Sequence, residues 1–168
     1  MNYSTQDKWD VWFHSITDNN WGKTSYKKLM TVNNLFDYKY LEENFQQDHY
    51  QNGMFFYMKD GIFPNWEDPD NRLGGCLSFK VYSKDIIEEW NNLLLRCITN
   101  NILEGNENEI NGISISPKKE FNIIKIWFRN DGFDYKKHFT EFGDYFQLEK
   151  SLYKKHEVML MYLARDII

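Results

Sequence analysis

Alternating apolar and polar residues predict a series of β-strands along this chain. In the clearest segment Ile124, Ile126 and Phe128 fall on one face with a period of two. Trp127 falls on the opposite face of the same segment. The predicted strands span residues 9–13, 26–32, 54–58, 76–82, 113–116, 122–129 and 157–164.

Three other segments have the spacing of helices. The first follows Thr31 as its N-cap and ends near residue 45. The second follows Ser83, with Asp85 in its first turn, where the helix dipole favours a negative charge. The third spans about 135–148. Strands joined mostly by short turns and interrupted by helices predict an α+β fold, in which an antiparallel sheet carries the helices on one face and leaves the other free to bind.

The first predicted helix has two apolar stripes. One comprises Leu35, Tyr38, Leu41 and Phe45, and the other comprises Val32, Phe36 and Tyr40. A second stripe either packs between two parts of the core or forms an exposed ridge that binds a partner peptide. Spacing alone favours packing. The second predicted helix has a single buried stripe, with Leu95 on the opposite side.

The composition is that of one folded domain over residues 1–168. Hydrophobic residues make up 42% of the chain and aromatic residues 18%, so a substantial core is expected, with aromatic side chains left for binding surfaces. The net charge of −5 excludes a protein that coats nucleic acid through a broad basic face. Any RNA contact must therefore be local.

Several other classes of function and site lack support in the sequence. No signal-peptide core and no apolar run of membrane-spanning length is present, so a cytoplasmic location is expected. No catalytic residue order, Gly-rich phosphate loop or metal-ligand spacing points to an enzyme, a cofactor or a metal. Cys76 and Cys97 are expected to be reduced packing thiols. His138 and His156 have no partner pattern and are expected at the surface.

A turn-rich segment places an indole next to a carboxylate. Trp66 offers a flat π surface to a base, and Glu67 offers two acceptor oxygens to neighbouring N–H groups on a guanine edge. Stacking accepts any base, so the carboxylate would supply the selectivity. A Trp beside a Glu is also common as half-buried packing next to a solvated charge. A base site therefore requires a second aromatic wall.

Further motifs occur in a recognisable order. They are Trp9-x-x-Trp12-Phe13, Trp21, Thr31-Val32-x-x-Leu35-Phe36, Lys59-Asp60-Gly61-Ile62-x-Pro64-x-Trp66-Glu67-Asp68, Asn71-x-x-Gly74-Gly75, Trp90, Asn111-Gly112-Ile113 and Lys125-Ile126-Trp127. The series resembles the eukaryotic translation initiation factor 4E family, whose members bind the 7-methylguanosine cap of messenger RNA. The resemblance implies a curved sheet with three helices on its convex face and the cap site on the concave side.

The resemblance also implies roles for individual residues in binding the base. Trp21 and Trp66 would sandwich the methylated base, and Glu67 would accept hydrogen bonds from its edge. Trp127 matches the family's third Trp, which lies against the N7-methyl group. A cationic base between two indoles gains about 0.5–2 kcal/mol per favourable contact.

The phosphate contacts depart from the family pattern. Cys76 stands where the family usually has Arg, and Glu120 and Ile123 stand where Lys is expected. Lys118 falls at a second Arg position. Lys119, Lys125 and Arg72 could partly replace the missing charge. The sequence therefore predicts binding that depends more on the base sandwich than is usual.

The partner surface implied by the family is also altered. Val32 and Leu95 match apolar contacts for a Tyr-x-x-x-x-Leu-φ helix of a scaffold initiation factor 4G-like protein or of an inhibitory binding protein. Phe36 replaces the expected Trp, and Asn91 and Asn92 replace an apolar residue and a Glu. Weaker or altered partner recognition is expected. An alternative is a family-like adaptor or translational repressor that binds cap weakly.

Overall fold

The computed structural model describes residues 3–157 and 161. The strands are β1 (Ser4–Ser15), β2 (Lys27–Asn34), β3 (Gly53–Lys59), β4 (Gly75–Tyr82), β5 (Ile110–Pro117), β6 (Phe121–Phe128) and β7 (Leu152–Lys155). They form one curved antiparallel sheet in the order β2-β1-β3-β5-β6-β4-β7. The predicted class, an antiparallel α+β sheet with helices, is confirmed.

The two faces of the sheet bury different sets of side chains because neighbouring residues in a strand point to opposite faces. On β3, Phe55 and Tyr57 belong to the main core, whereas Phe56 and Met58 belong to a smaller apolar cluster. We call the smaller set the cleft-side cluster; its buried members are Phe56, Met58, Ile62, Cys76 and Trp127. The main core lies on the other face, under the helices.

The helices are α1 (Leu35–Asn44), α2 (Gln47–Asn52), α3 (Ile86–Ile98) and α4 (Tyr135–His138). Helix α3 contributes the largest helical share of the main core, and the predicted stripe is buried with Leu95 outside it. Among the described residues, none of the helices is both long and apolar enough to span a bilayer.

The start of α1 differs from the prediction. Thr31 lies within β2, paired with Asp10 of β1, and its hydroxyl donates to the Asp10 carboxylate over 2.9 Å. The N-cap is Asn34, whose side chain accepts from the Asp37 N–H. The predicted first helix also extended beyond Asn44, where α1 ends, and the separate short helix α2 was not predicted.

The C-terminal predictions need two corrections. The helix predicted over 135–148 ends at His138, because Gly143 has a φ of +60° and the Thr140 N–H bonds to Ile102 instead of continuing the helix. The last described strand is β7 rather than 157–164. Most of the predicted segment lies outside the described residues, and Glu157 and Met161 are helical.

Candidate functional site

An aromatic cleft of about 350 Å³ opens on the sheet face opposite α3. It is lined by Trp21, Tyr26, Met54, Phe56, Pro64, Asn65, Trp66, Glu67, Ser114, Ser116, Lys125 and Trp127. The four residues predicted to bind a base, together with Lys125, therefore line one cleft. The loop between β1 and β2 supplies one wall, and the loop between β3 and β4 supplies the other.

Asn71 holds the loop that carries Trp66. Its buried side-chain amide donates to the carbonyl oxygens of Phe63 and Asn65 over 3.0 and 2.9 Å. Its own side-chain oxygen accepts from Asn111 over 3.0 Å. These bonds tie both sides of the turn to β5, so the Trp66 wall is built before any ligand binds.

The Gly-Gly pair lets this loop return close to the sheet. A Cβ at Gly74 would lie 1.7 Å from the carbonyl oxygen of Phe128, so any larger residue would displace the loop from β6. The glycines of the motif therefore have a packing role, while Trp66 and Glu67 face the cleft.

Trp127 lies in the floor of the cleft. Its side chain is only 3% exposed, and its indole N–H donates to the Ser114 hydroxyl over 2.9 Å. Phe56 packs against it edge to face, with ring centroids 6.2 Å apart. The hydrogen bond and the packing fix the ring plane, so only its exposed margin is available for contact.

Trp21 is the exposed wall of the cleft. It is 54% exposed, and one face of its indole stacks on the His14 imidazole with ring centroids 3.9 Å apart and planes 1° apart. Tyr26 lies edge-on to both rings. The outer face of Trp21 is therefore available for a planar ligand.

Glu67 is exposed at the rim of the cleft. No hydrogen-bond or ion-pair partner of its carboxylate is found within 3–157 and 161. Burial, with a smaller effect of the Glu67 charge, raises the pKa of the neighbouring Tyr26 hydroxyl to about 12. The Glu67 oxygens are therefore free to accept, and Tyr26 stays neutral beside them.

His156 was predicted at the surface, and that prediction is wrong. The side chain is 1% exposed because β7 pairs with β4 and carries it beneath Trp66. Its Nδ1 lies 2.7 Å from the carbonyl oxygen of Asn71, and its Nε2 lies 3.0 Å from Cys76 Sγ. Its ring also faces Trp66, with centroids 6.5 Å apart. His138 is half-buried.

The protonation states of this buried pair follow from desolvation. Burial raises the pKa of the Cys76 thiol to about 12, so the S–H can donate to His156. Burial also lowers the pKa of His156, the Lys125 charge acts in the same direction, and the bond to Asn71 partly opposes both. A neutral His156 therefore donates from Nδ1 to Asn71 and accepts at Nε2. Cys76 and Cys97 are free and buried, as predicted.

The predicted phosphate-contact residues occupy different positions. Lys125 lines the cleft, whereas Lys118 and Lys119 are exposed in the turn between β5 and β6. Arg72 is exposed in the loop after Trp66. Only Lys125 among these four contacts the base cleft itself.

Lys154 is a candidate that the sequence-based reading missed. It lies directly opposite Cys76 across the β4–β7 pair, and residues so opposed project from the same face of a sheet. Cys76 belongs to the cleft-side cluster, so Lys154 projects to the cleft side, and it is exposed. Lys154 was missed because the last strand was predicted at 157–164 and not at β7.

Residues 4–164 match the sequence model of the family described as eukaryotic initiation factor 4E. The chain belongs to this family. The 4E protein of Candida albicans is 36% identical over 73 residues, which are 41% of this chain and 35% of that protein. The 4E protein of Saccharomyces cerevisiae is 35% identical over 75 residues, which are 44% of this chain and 35% of that protein. The matched segments thus span 35% of the length of these curated relatives.

Solved structures of 4E proteins share the fold. Caenorhabditis elegans eIF4E-3 in complex with the 4E-binding protein Mextli and cap analog has a TM-score of 0.79 at 18% identity, covering 96% of both chains. Ascaris suum eIF4E-3 in complex with m2,2,7G cap has a TM-score of 0.71 at 21% identity, covering 80% of this chain and 77% of that one. At these identities the likeness establishes the fold alone.

The helical face of this 4E-family chain exposes part of the second stripe of α1. Phe36 is 68% exposed and Tyr40 54% exposed, so the expectation that this stripe packs into the core is wrong for both residues. Leu95 is 38% exposed on α3. Val32 and Asn91 are buried, so they lie beneath this face rather than on it.

Among the described residues, no group of three or more His, Cys, Asp or Glu side chains is placed to hold a metal ion. The charged groups nearest the cleft are instead Glu67 at its rim and Lys125 on β6. This pairing of one free carboxylate with one cation suits a ligand that carries a hydrogen-bond-donating edge and a separate anionic group.

Proposed function

We propose that this chain binds the 7-methylguanosine 5′ cap of messenger RNA. The base would lie between Trp21 and Trp66, with the Glu67 carboxylate accepting from the guanine N1–H and N2–H. The observation that carries the proposal is that these three side chains and Trp127 line one cleft. The proposal agrees with the cap-bound 4E proteins of similar fold.

The aromatic walls favour a methylated base for a physical reason. Methylation at N7 gives guanine a positive charge, and a cation over an indole face gains about 0.5–2 kcal/mol per favourable contact. Trp21 offers an uncovered face, and Trp66 is half-buried against the cleft-side cluster. The free Glu67 carboxylate adds attraction to the same cationic ring.

We place the phosphate chain along the cleft-side face of β6, β4 and β7. Lys125 lines the cleft and pairs with Ser78 of β4, two residues from Cys76 on the same face of the strand. Cys76 stands where other family members have Arg, so the Lys125 charge lies near that position. Lys154 projects from the neighbouring strand on the same face. Lys118, Lys119 and Arg72 are the outer candidates for a longer RNA.

Replacing Lys125 or Lys154 with Ala is expected to make binding of 7-methylguanosine triphosphate less dependent on salt. Each lost phosphate contact should lower the slope of log K against log salt by about 0.7. Isothermal titration at several salt concentrations measures the slope. Lys136→Ala, an exposed lysine on α4, is the matched control and should leave it unchanged. A wild-type slope equal to that of an ordinary 4E protein would contradict the prediction that this chain makes fewer phosphate contacts.

The proposal is tested on RNA by comparing capped and uncapped transcripts of the same sequence. The purified chain should retain the capped transcript, and free 7-methylguanosine triphosphate should displace it. Equal retention of both transcripts would exclude specific cap binding and leave only general RNA affinity.

We further propose that the chain recruits messenger RNA for translation initiation by binding a helix of a scaffold initiation factor 4G-like protein, or of an inhibitory binding protein. A 3.4 Å hydrogen bond from the Tyr38 hydroxyl to the Asn91 carbonyl oxygen joins helix α1 to helix α3. Phe36 and Leu95 are exposed on this surface. The C. elegans complex with a 4E-binding protein supports this assignment.

Phe36→Ala is expected to weaken binding of a Tyr-x-x-x-x-Leu-φ peptide by about tenfold, because aromatic anchors dominate such interfaces. Wild-type binding should itself be weaker than in a typical 4E protein, because Asn91 and Asn92 replace an apolar contact and a charge. Fluorescence anisotropy of a labelled peptide measures both. Tyr82→Ala removes a similarly exposed aromatic ring on β4 and is the control. Equal peptide affinity in Phe36→Ala and wild type would show that the peptide does not bind at the surface that exposes Phe36.

A second candidate is a 4E-like adaptor or translational repressor with weak cap binding. The burial of Cys76 against His156, where an Arg usually contacts phosphate, is the observation in its favour. The assembled aromatic cleft opposes it, since a protein that acts through partner contacts alone has no need of two accessible indoles. Retention of capped RNA with normal partner binding would favour the first candidate.

A further inference from the structure

We propose that His14 is the positioning residue that holds Trp21 as a preformed wall of the cleft. This inference rests on the proposed cap site, because it assigns a function to the residue behind one of its walls. His14 is the next-to-last residue of β1, directly opposite Met54 of β3, and is fully buried. The sheet therefore fixes its backbone, while Trp21 lies in the loop beyond it.

The ring of His14 is anchored through both of its nitrogens. Nδ1 lies 2.9 Å from the carbonyl oxygen of Ser15, and Nε2 lies 2.8 Å from that of Asn20, the residue before Trp21. Ser25 Oγ is 3.1 Å from Nε2 and donates its own proton to Gly22. These contacts connect the strand to both arms of the loop.

The anchored imidazole provides a flat surface on which the Trp21 indole rests. A 3.9 Å stack with planes 1° apart covers one indole face, and the side chain is still 54% exposed. The other hydrogen bonds within the loop are local and exposed, such as the one from the Gly22 N–H to Asn20 Oδ1. Without His14 the indole would lose its largest ring contact, and its ordering would have to occur on binding, which lowers affinity.

The ligand-free protein gives the first test. The heteronuclear NOE values of the Trp21 indole N–H, assigned with a Trp21→Phe variant, should fall to those of a mobile indole in His14→Ala. His49→Ala, which removes an exposed histidine on α2, should leave them unchanged. Unchanged Trp21 signals in His14→Ala would overturn the inference. This readout is independent of cap binding.

A double-mutant cycle gives the second test. His14→Ala should lower the affinity for 7-methylguanosine triphosphate by about threefold to tenfold, the range expected for loss of one aromatic pair. In a Trp21→Ala background the same change should alter affinity by less than about twofold, because the effect acts through Trp21. Equal losses in both backgrounds would show a general structural role and overturn the inference.

His14→Phe decides the question if His14→Ala does not fold. It retains a stacked ring but loses the bonds to Ser15 and Asn20, so a smaller loss that also disappears in the Trp21→Ala background is expected. Absence of cap binding in the wild type would instead defeat the proposed function, and the ligand-free resonances would still decide whether His14 positions Trp21.

Discussion

Trp66→Ala is expected to lower the affinity for 7-methylguanosine triphosphate by about 10-fold to 5,000-fold. The change removes one face of the stack, worth about 1–3 kcal/mol per base, and one cation–π contact worth about 0.5–2 kcal/mol. Trp66 is held in the cleft by a loop whose own hydrogen bonds come from Asn71 and Asp68, so the loop should survive the substitution. Isothermal titration of the cap analogue measures the loss.

Trp66→Phe is the matched variant for this prediction. It retains a flat ring at the same position and should recover part of the lost affinity, whereas a disordered loop would affect both variants equally. Far-ultraviolet circular dichroism checks that the sheet is intact in both. An affinity of Trp66→Ala within about threefold of wild type would show that Trp66 does not stack on the base.

Glu67→Gln is expected to lower cap affinity by about 10-fold to 150-fold. Hydrogen bonds to charged groups are worth about 1.5–3 kcal/mol, and the amide also presents donors to the guanine N–H groups. The preference for the methylated base should narrow as well, because the charge attracted to the cationic ring is gone. Glu67 is exposed and has no partner among the described residues, so the melting temperature should not change.

Glu88→Gln is the control for Glu67→Gln because Glu88 is an exposed glutamate on α3, on the other face of the sheet. Both variants raise the net charge by one, so any general electrostatic effect on an anionic ligand should appear in both. Unchanged cap affinity in Glu67→Gln would show that the base edge is read by another group.

Local patterns predicted six of the seven strands described in this fold, all except β7. On β6 the alternation of Ile124, Ile126 and Phe128 with Trp127 places the first three in the main core and Trp127 in the cleft. The stripe of α3 was equally readable, because a long helix on a sheet buries a single face. In both cases the packing that decides the structure repeats at short range.

The failures occurred where contacts distant in sequence decide the local structure. Phe139, Phe142 and Phe146 have helical spacing, but Phe139 forms a bridge with Leu103, 36 residues earlier in the chain. Thr31 resembles an N-cap, yet pairing with Asp10 keeps it in β2. Neither pairing can be predicted from the residues that surround Phe139 or Thr31 in the sequence.

The candidate site was only partly predictable for the same reason. Trp66 and Glu67 are adjacent in sequence, so their shared loop was visible as a motif. The contact between Cys76 and His156 joins residues 80 positions apart, and it depends on the pairing of β7 with β4. The stack of His14 on Trp21 depends on the path of a loop that sequence spacing does not determine.

The central claim is that the cleft selects a cationic guanine. Intrinsic tryptophan fluorescence titrated with 7-methylguanosine triphosphate and with GTP tests it most directly, because both indoles of the proposed sandwich report on the same event. The account predicts quenching by both, with at least about tenfold tighter binding of the methylated nucleotide. Equal and weak quenching by the two nucleotides would contradict it and favour the adaptor.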